Sequence, residues 1–140
     1  MSTKKKSTQG RKNRAAGRRF EAKVRANLEN KGWIVSKWMN TVDYKKKKSG
    51  KLVPAKRKYN PFFKALSIGT GFPDFVCFKR SRGNYEVIGL EVKKNGYLDK
   101  KEKGMCYWLL KNRIFSRILI AKKGKKRGEI EYIDFKNKYM

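Results

Sequence analysis

The stretch GFPDFVCFK, Gly71 to Lys79, sets a carboxylate, Asp74, directly behind a proline and at the head of a strongly apolar run. The chain holds 39 Lys and Arg against 11 Asp and Glu, so an acid is an uncommon choice there. Burying an unpaired carboxylate is costly or forces its pKa upward, and such a placement calls for a partner or a cation. A second acid stands in GLEVKK, where Glu91 and Lys93 lie two residues apart. On a strand they share one face, about 6.6 to 6.8 Å apart along it. Two carboxylates and an ammonium on one patch define a chemistry. Close acids repel unless a cation bridges them, and hard oxygen ligands without imidazole or thiolate suit Mg²⁺ or Mn²⁺. The Glu-X-Lys spacing alone carries little, since Glu21-Ala22-Lys23 and Glu29-Asn30-Lys31 repeat it on a predicted helix. The setting of Glu91 and Lys93 in a β-run, opposite a strand that opens with Pro-Asp, is what separates them. A plain salt bridge between Asp74 and Lys93 across the strands is the competing reading.

Positioning these groups requires a hairpin. The apolar runs Pro73 to Phe78 and Tyr85 to Val92 are separated by KRSRGN, whose Gly and Asn favour a tight turn, so the runs should pair antiparallel. A turn centred on Arg82 and Gly83 brings Asp74 opposite Glu91. A shift of one residue brings it opposite Gly89 or Lys93 instead. Upstream, Phe20, Val24 and Leu28 recur every four residues from about Ala15, and Gly32 stands where the helix needs a left-handed cap. WIVSKW, Trp33 to Trp38, reads as a strand. Thr41 to Leu66 carries nine basic residues against one acid, Asp43, and reads as a long basic loop with room for a hairpin around Ser49 and Gly50. Asp99 followed by Glu102 is a capping-box pattern, and Met105, Trp108 and Leu109 give the face of a second helix to about Asn112, with Trp33 and Trp108 read as core. IFSRILIA and EIEYIDF read as two closing strands around the basic turn KKGKKRG. The predicted order is α-β-β-β-α-β-β, in a single domain over 14–140 with a basic insertion at about 41–66. Residues 1–13, basic and without acids, read as a disordered arm.

Composition narrows the function. A net charge of +28 is far more than solubility requires, and self-repulsion of that size points to a polyanionic partner, with nucleic acid ahead of an anionic membrane. No apolar run approaches the roughly 18 residues of a spanning helix. The basic start lacks the apolar stretch of a secretory signal. Cys77 and Cys106 sit apart in apolar segments, read as buried reduced thiols in a cytoplasmic setting. Without a single histidine, triads, imidazole metal sites and histidine bases are excluded. Catalysis would have to run on carboxylates, lysine and a metal.

Pro73-Asp74 together with Glu91-Val92-Lys93, after the helix and strand GRRFEAKVRANLENKGWIV, resembles the PD-(D/E)xK nuclease superfamily, most closely its archaeal and viral Holliday junction resolvases. The resemblance covers about Gly17 to Ala121. It implies an α/β, restriction-endonuclease-like core with a mixed central sheet flanked by helices, and a metal-dependent endonuclease that leaves a 5′-phosphate and a 3′-hydroxyl. Asp74 and Glu91 would then hold Mg²⁺ or Mn²⁺, with the Val92 carbonyl and Glu21 as further ligands, and Lys93 would sit beside the attacking water. The i,i+4 ion pair with Arg25 is the alternative role for Glu21, and the capping box is the preferred role for Glu102, although relatives often place a Gln there at the site. The expected partner is branched DNA, bound by a homodimer. Arg18, Arg19, Lys45, Lys46, Lys47, Lys48, Lys56, Arg57, Lys58 and the turn Lys122 to Arg127 form the electrostatic footprint, with Tyr44, Tyr59 and Phe62 as stacking groups. Ser67 and Thr70 in SIGTGFPD either let the backbone approach a phosphate or make a turn. Two further functions stay open: a non-catalytic nucleic-acid binder, and a restriction-like enzyme cutting duplex DNA.

Overall fold

The computed structural model describes residues 2–45, 48–55, 57–60, 65–68 and 71–140, with the backbone alone over 2–8, 57–60 and 65–68. Straight-chain lysine, arginine, glutamine and glutamate dominate the first thirty positions, and no proline interrupts them, which suits one long helix. Helix α1 is Ser2–Asn30. It takes in the segment 1–13 expected to lack structure, from Ser2 onward. Gly32, at φ +93°, ends the helix by donating its N–H to the Glu29 carbonyl at 3.0 Å.

Strands β1 (Ile34–Lys37), β2 (Asn40–Asp43), β3 (Lys51–Pro54), β4 (Arg57–Asn60) and β5 (Ala65–Ile68) follow. Next come β6 (Phe75–Ser81) and β7 (Asn84–Val92), helix α2 (Lys100–Lys111), β8 (Arg117–Lys123), β9 (Ile130–Asp134) and a short α3 (Phe135–Tyr139). Five strands make a mixed central sheet in the order β1-β6-β7-β8-β9. Only the β7–β8 pair within it is parallel, and α2 lies on the crossover that such a pair needs. The chain is thus α/β with a mixed sheet between helices.

Alternation along the strands divides the core. Phe75, Cys77, Ile88 and Leu90 face α1, packing with Phe20, Val24 and Leu28. Val76, Ile118 and Ile120 pack with Met105, Cys106 and Leu109 of α2 on the opposite face. Burial of the apolar stripe of each helix against one face of the sheet is the principal stabilising contact of the fold. Both cysteines are free and buried, and burial pushes each thiol up to about 12.

The described residues of the basic insertion form two strand pairs. β2 and β3 form an antiparallel hairpin, and β4 pairs with β5. The hairpin docks on α2: Trp108 Nε1 donates to the Ser49 carbonyl at 2.7 Å, and Gly50, at φ +87°, lies flat against the indole. Trp108 is therefore half-buried beneath the hairpin tip and is not an interior core residue. Lys45 and Lys48 are exposed to solvent while Val42 is buried. Among the described residues, no helix is long and apolar enough to cross a membrane.

Candidate active site

The site begins with a turn. Arg82 (φ 51°) and Gly83 (φ 86°) are the central residues of the β6–β7 hairpin, both left-handed as a type I′ turn requires. That geometry fixes the register at Ser81↔Asn84 through Phe75↔Leu90, and one step further Asp74 meets Glu91. Each carboxylate accepts a backbone N–H from across the hairpin. Asp74 N–H donates to Glu91 Oε1 at 3.1 Å, and Val92 N–H donates to Asp74 Oδ2 at 2.9 Å.

Close backbone approach holds Asp74 in place. A Cβ at Gly71 would run into the Trp38 carbonyl and the Asn40 backbone, so only glycine lets residues 71–74 lie beside 38–40. Phe72 N–H then donates to the Asn40 carbonyl at 2.8 Å, and Trp38 N–H to the Asp74 carbonyl at 3.1 Å. Pro73 is fully buried. It sits over Gly89 of β7, where an added Cβ would lie 2.9 Å from Pro73 Cγ and 3.0 Å from Phe115 Cδ2.

Glu91 is the buried charged residue of the described core, 5% exposed. Burial, the neighbouring Asp74 charge and hydrogen bonds to Asp74 and Glu102 raise its carboxyl far above the usual range, against the opposing pull of Lys93. Lys93 Nζ lies 2.7 Å from Glu102 Oε2 and 3.9 Å from Glu91 Oε2. Burial disfavours the Lys93 charge, but the Glu102 hydrogen bond and the surrounding acids outweigh it, and the ammonium is held above its ordinary pKa. No direct ion pair joins Lys93 to Asp74 among the described residues.

Glu102 has two roles at once. Its Oε1 accepts the Asp99 N–H at 3.0 Å to complete the capping box of α2, and its Oε2 holds Lys93. The sequence pattern favours the first contact, and the second is the site role that was weighed against it. Glu21, half-buried on α1, has a raised pKa from burial and from the charge of Asp74, with Lys37 acting the other way. It therefore lies within electrostatic reach of the site. Arg25 turns elsewhere, pairing with Glu29 at 3.7 Å and donating to the Val35 carbonyl at 3.0 Å. Glu21, Arg18 and Val92 line one concavity together with Arg14 and Lys94. Lys94, just past the end of β7, was not singled out from the sequence.

Of the remaining expected binding residues, Arg18 and Arg19 are exposed on α1, and Lys45 and Lys48 on the β2–β3 hairpin. Arg57 and Lys58 lie on β4. Lys46, Lys47, Lys56 and Thr70 fall outside the described residues.

Donor chemistry decides which metal these residues fit. Each carboxylate spends one oxygen on a backbone N–H; the remaining hard oxygens are Asp74 Oδ1 and Glu91 Oε2, the latter 3.9 Å from Lys93 Nζ. Among the described residues, no cluster of three or more His, Cys, Asp or Glu side chains is arranged to hold a metal. Two carboxylates suit Mg²⁺, which keeps several of its waters and takes few protein ligands. They do not suit the all-protein cage of a structural site. Comparisons with protein-family models, curated proteins and solved structures find no match to this chain.

Proposed function

We propose that the chain is a metal-dependent endonuclease of the PD-(D/E)xK type, with a restriction-endonuclease-like core, hydrolysing phosphodiester bonds in DNA. The observation that carries this reading is the pair of acids at the end of the β6–β7 hairpin, Glu91 held by the Asp74 N–H and Asp74 by the Val92 N–H, with Lys93 beside them. A protein that only binds nucleic acid has no reason to set clustered acids where phosphate must approach, whereas a metal-assisted hydrolase needs them. The non-catalytic reading is less favoured for that reason.

Asp74, Glu91 and the Val92 carbonyl would hold Mg²⁺ or Mn²⁺, with Glu21 adding negative charge directly or through water. The cation would supply Lewis-acid charge at a phosphate oxygen and acidify water for attack. The chain's own residues do the rest. Backbone N–H groups fix the Asp74 and Glu91 carboxylates, so both are oriented before a cation arrives. Lys93, held charged by Glu102, orients the attacking water and stabilises negative charge as it develops on the phosphoryl group. A lysine kept protonated in this way acts as a donor and not as a base. Branched DNA is the favoured substrate, and resolving a junction would require two such sites related by a two-fold axis. Incubation of the purified protein with labelled four-way junction, duplex and single strands, in Mg²⁺ or EDTA, tests the reading. Metal-dependent cutting with preference for the junction is expected. Preference for one duplex sequence would move the assignment to a restriction-like enzyme, and no cutting of any substrate would overturn it.

A further inference from the structure

Three adjoining concavities run along the α1 side of the sheet, and they share residues. The first borders the candidate site through Glu21 and Val92 and is lined also by Arg14, Arg18 and Lys94; Asp74, Glu91 and Lys93 are not among its lining residues. Lys94 also lines the second, together with Arg19, Lys23 and Lys123. The third carries those last three onward to the β8–β9 turn, ending at Lys126 and Arg127. Phe20 contributes to the floor of all three and is itself buried. The turn closes against the helix, since the Lys23 ammonium lies 3.5 Å from where a Gly128 side chain would begin.

Among the described residues, none of the cations lining this trough is in an ion pair; the ion-paired cations are Arg25, Lys93, Arg117 and Lys122. Arg14 with Arg18, and Arg19 with Lys23, are like charges at i,i+4, an arrangement that destabilises a free helix. The acid at the far end, Glu129, is turned back onto the turn, accepting the Lys126 N–H at 3.2 Å. Such a row of unpaired charge is complementary to a polyanion.

Resting on the nuclease reading, we propose that this trough is the track for the DNA strand that leads from the site: its sugar-phosphate backbone runs along α1 from Arg14 to the β8–β9 turn. Arg14 to Lys23 spans about 13 Å at 1.5 Å per residue. One DNA strand places a phosphate about every 3.4 Å along its axis, so the trough matches about four of them. An anionic membrane is a poorer fit, because an interfacial surface needs exposed apolar groups and the apolar part of this one, Phe20, is buried. The track lies on the face opposite the β2–β3 hairpin, which packs on α2. The DNA is therefore assigned to the α1 side and not to the basic insertion.

The test is binding of a labelled duplex in EDTA at several salt concentrations, which requires no cleavage and stands or falls separately from the catalytic assignment. The exposed quadruple variant Arg19→Gln, Lys23→Gln, Lys123→Gln, Arg127→Gln should bind with a log–log salt slope shallower by up to about 3.6, at about 0.9 per phosphate contact. A charge-matched variant on the other face, Lys100→Gln, Lys101→Gln, Lys111→Gln, Lys136→Gln, should keep the wild-type slope. Circular dichroism checks that both variants are folded. An unchanged slope in the first variant, or a slope lost instead on substituting Lys45 and Lys48, would overturn the proposal. So would unaltered DNA binding alongside lost binding to anionic lipid vesicles.

Discussion

Lys93 is pulled in two directions, toward Glu102 at 2.7 Å and toward Glu91 at 3.9 Å, and both keep it charged. If it stabilises charge during hydrolysis, Lys93→Ala should slow cleavage by about 10²- to 10⁴-fold while leaving DNA affinity near wild type, measured by single-turnover kinetics. A loss of only a few fold would reduce Lys93 to an ion-pair partner. Glu91 makes a prediction of the opposite kind, about stability. Its folded pKa lies above the ordinary 4.5, so the folded state binds the proton more tightly than the unfolded state. The stability that this group contributes is fully present below pH 4.5 and is lost as pH rises above that value toward the raised folded pKa. In EDTA at pH 8, Glu91→Gln should therefore melt higher than wild type, by about 2–4 °C for each kcal/mol of relieved repulsion, and the difference should vanish near pH 4. A variant that melts lower at pH 8 would mean that the carboxylate is charged and already satisfied by Lys93.

At the scale of the elements, the β6–β7 hairpin carries the site, and its fit to Pro73 depends on the absence of a side chain at Gly89. Gly89→Ala should force Pro73 and Asp74 away from β7, destabilise the fold by about 1–3 kcal/mol and cut activity by about 10²-fold. Thermal melting and cleavage rate measured on the same preparation check this, and a variant with wild-type activity would show that Asp74 need not be held so closely. Much of the arrangement was legible in the sequence. Turn chemistry at Arg82 and Gly83 made Asp74 a neighbour of Glu91 but left Gly89 and Lys93 open as partners, and the left-handed pair at the turn selects Glu91. The capping box at Asp99 and Glu102 was equally legible, because both of its contacts are local. The bond from Glu102 to Lys93 was not, since it depends on how α2 lies over β7, which no spacing within either element encodes. Docking of the β2–β3 hairpin was hidden for a similar reason. Its anchor, Trp108, looks like any apolar position on a helix face, and its partner is a backbone carbonyl at Ser49. The helical start of α1 was misjudged from charge alone, where propensity in a proline-free run was the better guide.

For the whole molecule, a net charge of +28 surrounds a small acidic focus at Asp74, Glu91, Glu102 and Glu21. That contrast is the electrostatic form expected of an enzyme that gathers a polyanion and holds a cation where the polyanion is cut. On the proposed reading it also separates binding from chemistry, because the unpaired cations lie along α1 while the acids lie at the sheet end. Removing an acid should therefore stop cleavage without weakening the grip on DNA. The most direct measurement is cleavage of a labelled four-way junction in Mg²⁺ by wild type and by Asp74→Asn, with binding of the same junction followed in EDTA. Loss of all detectable cutting by the variant, with DNA affinity equal to or above wild type, is the expected result; cutting at the wild-type rate by Asp74→Asn would contradict the account.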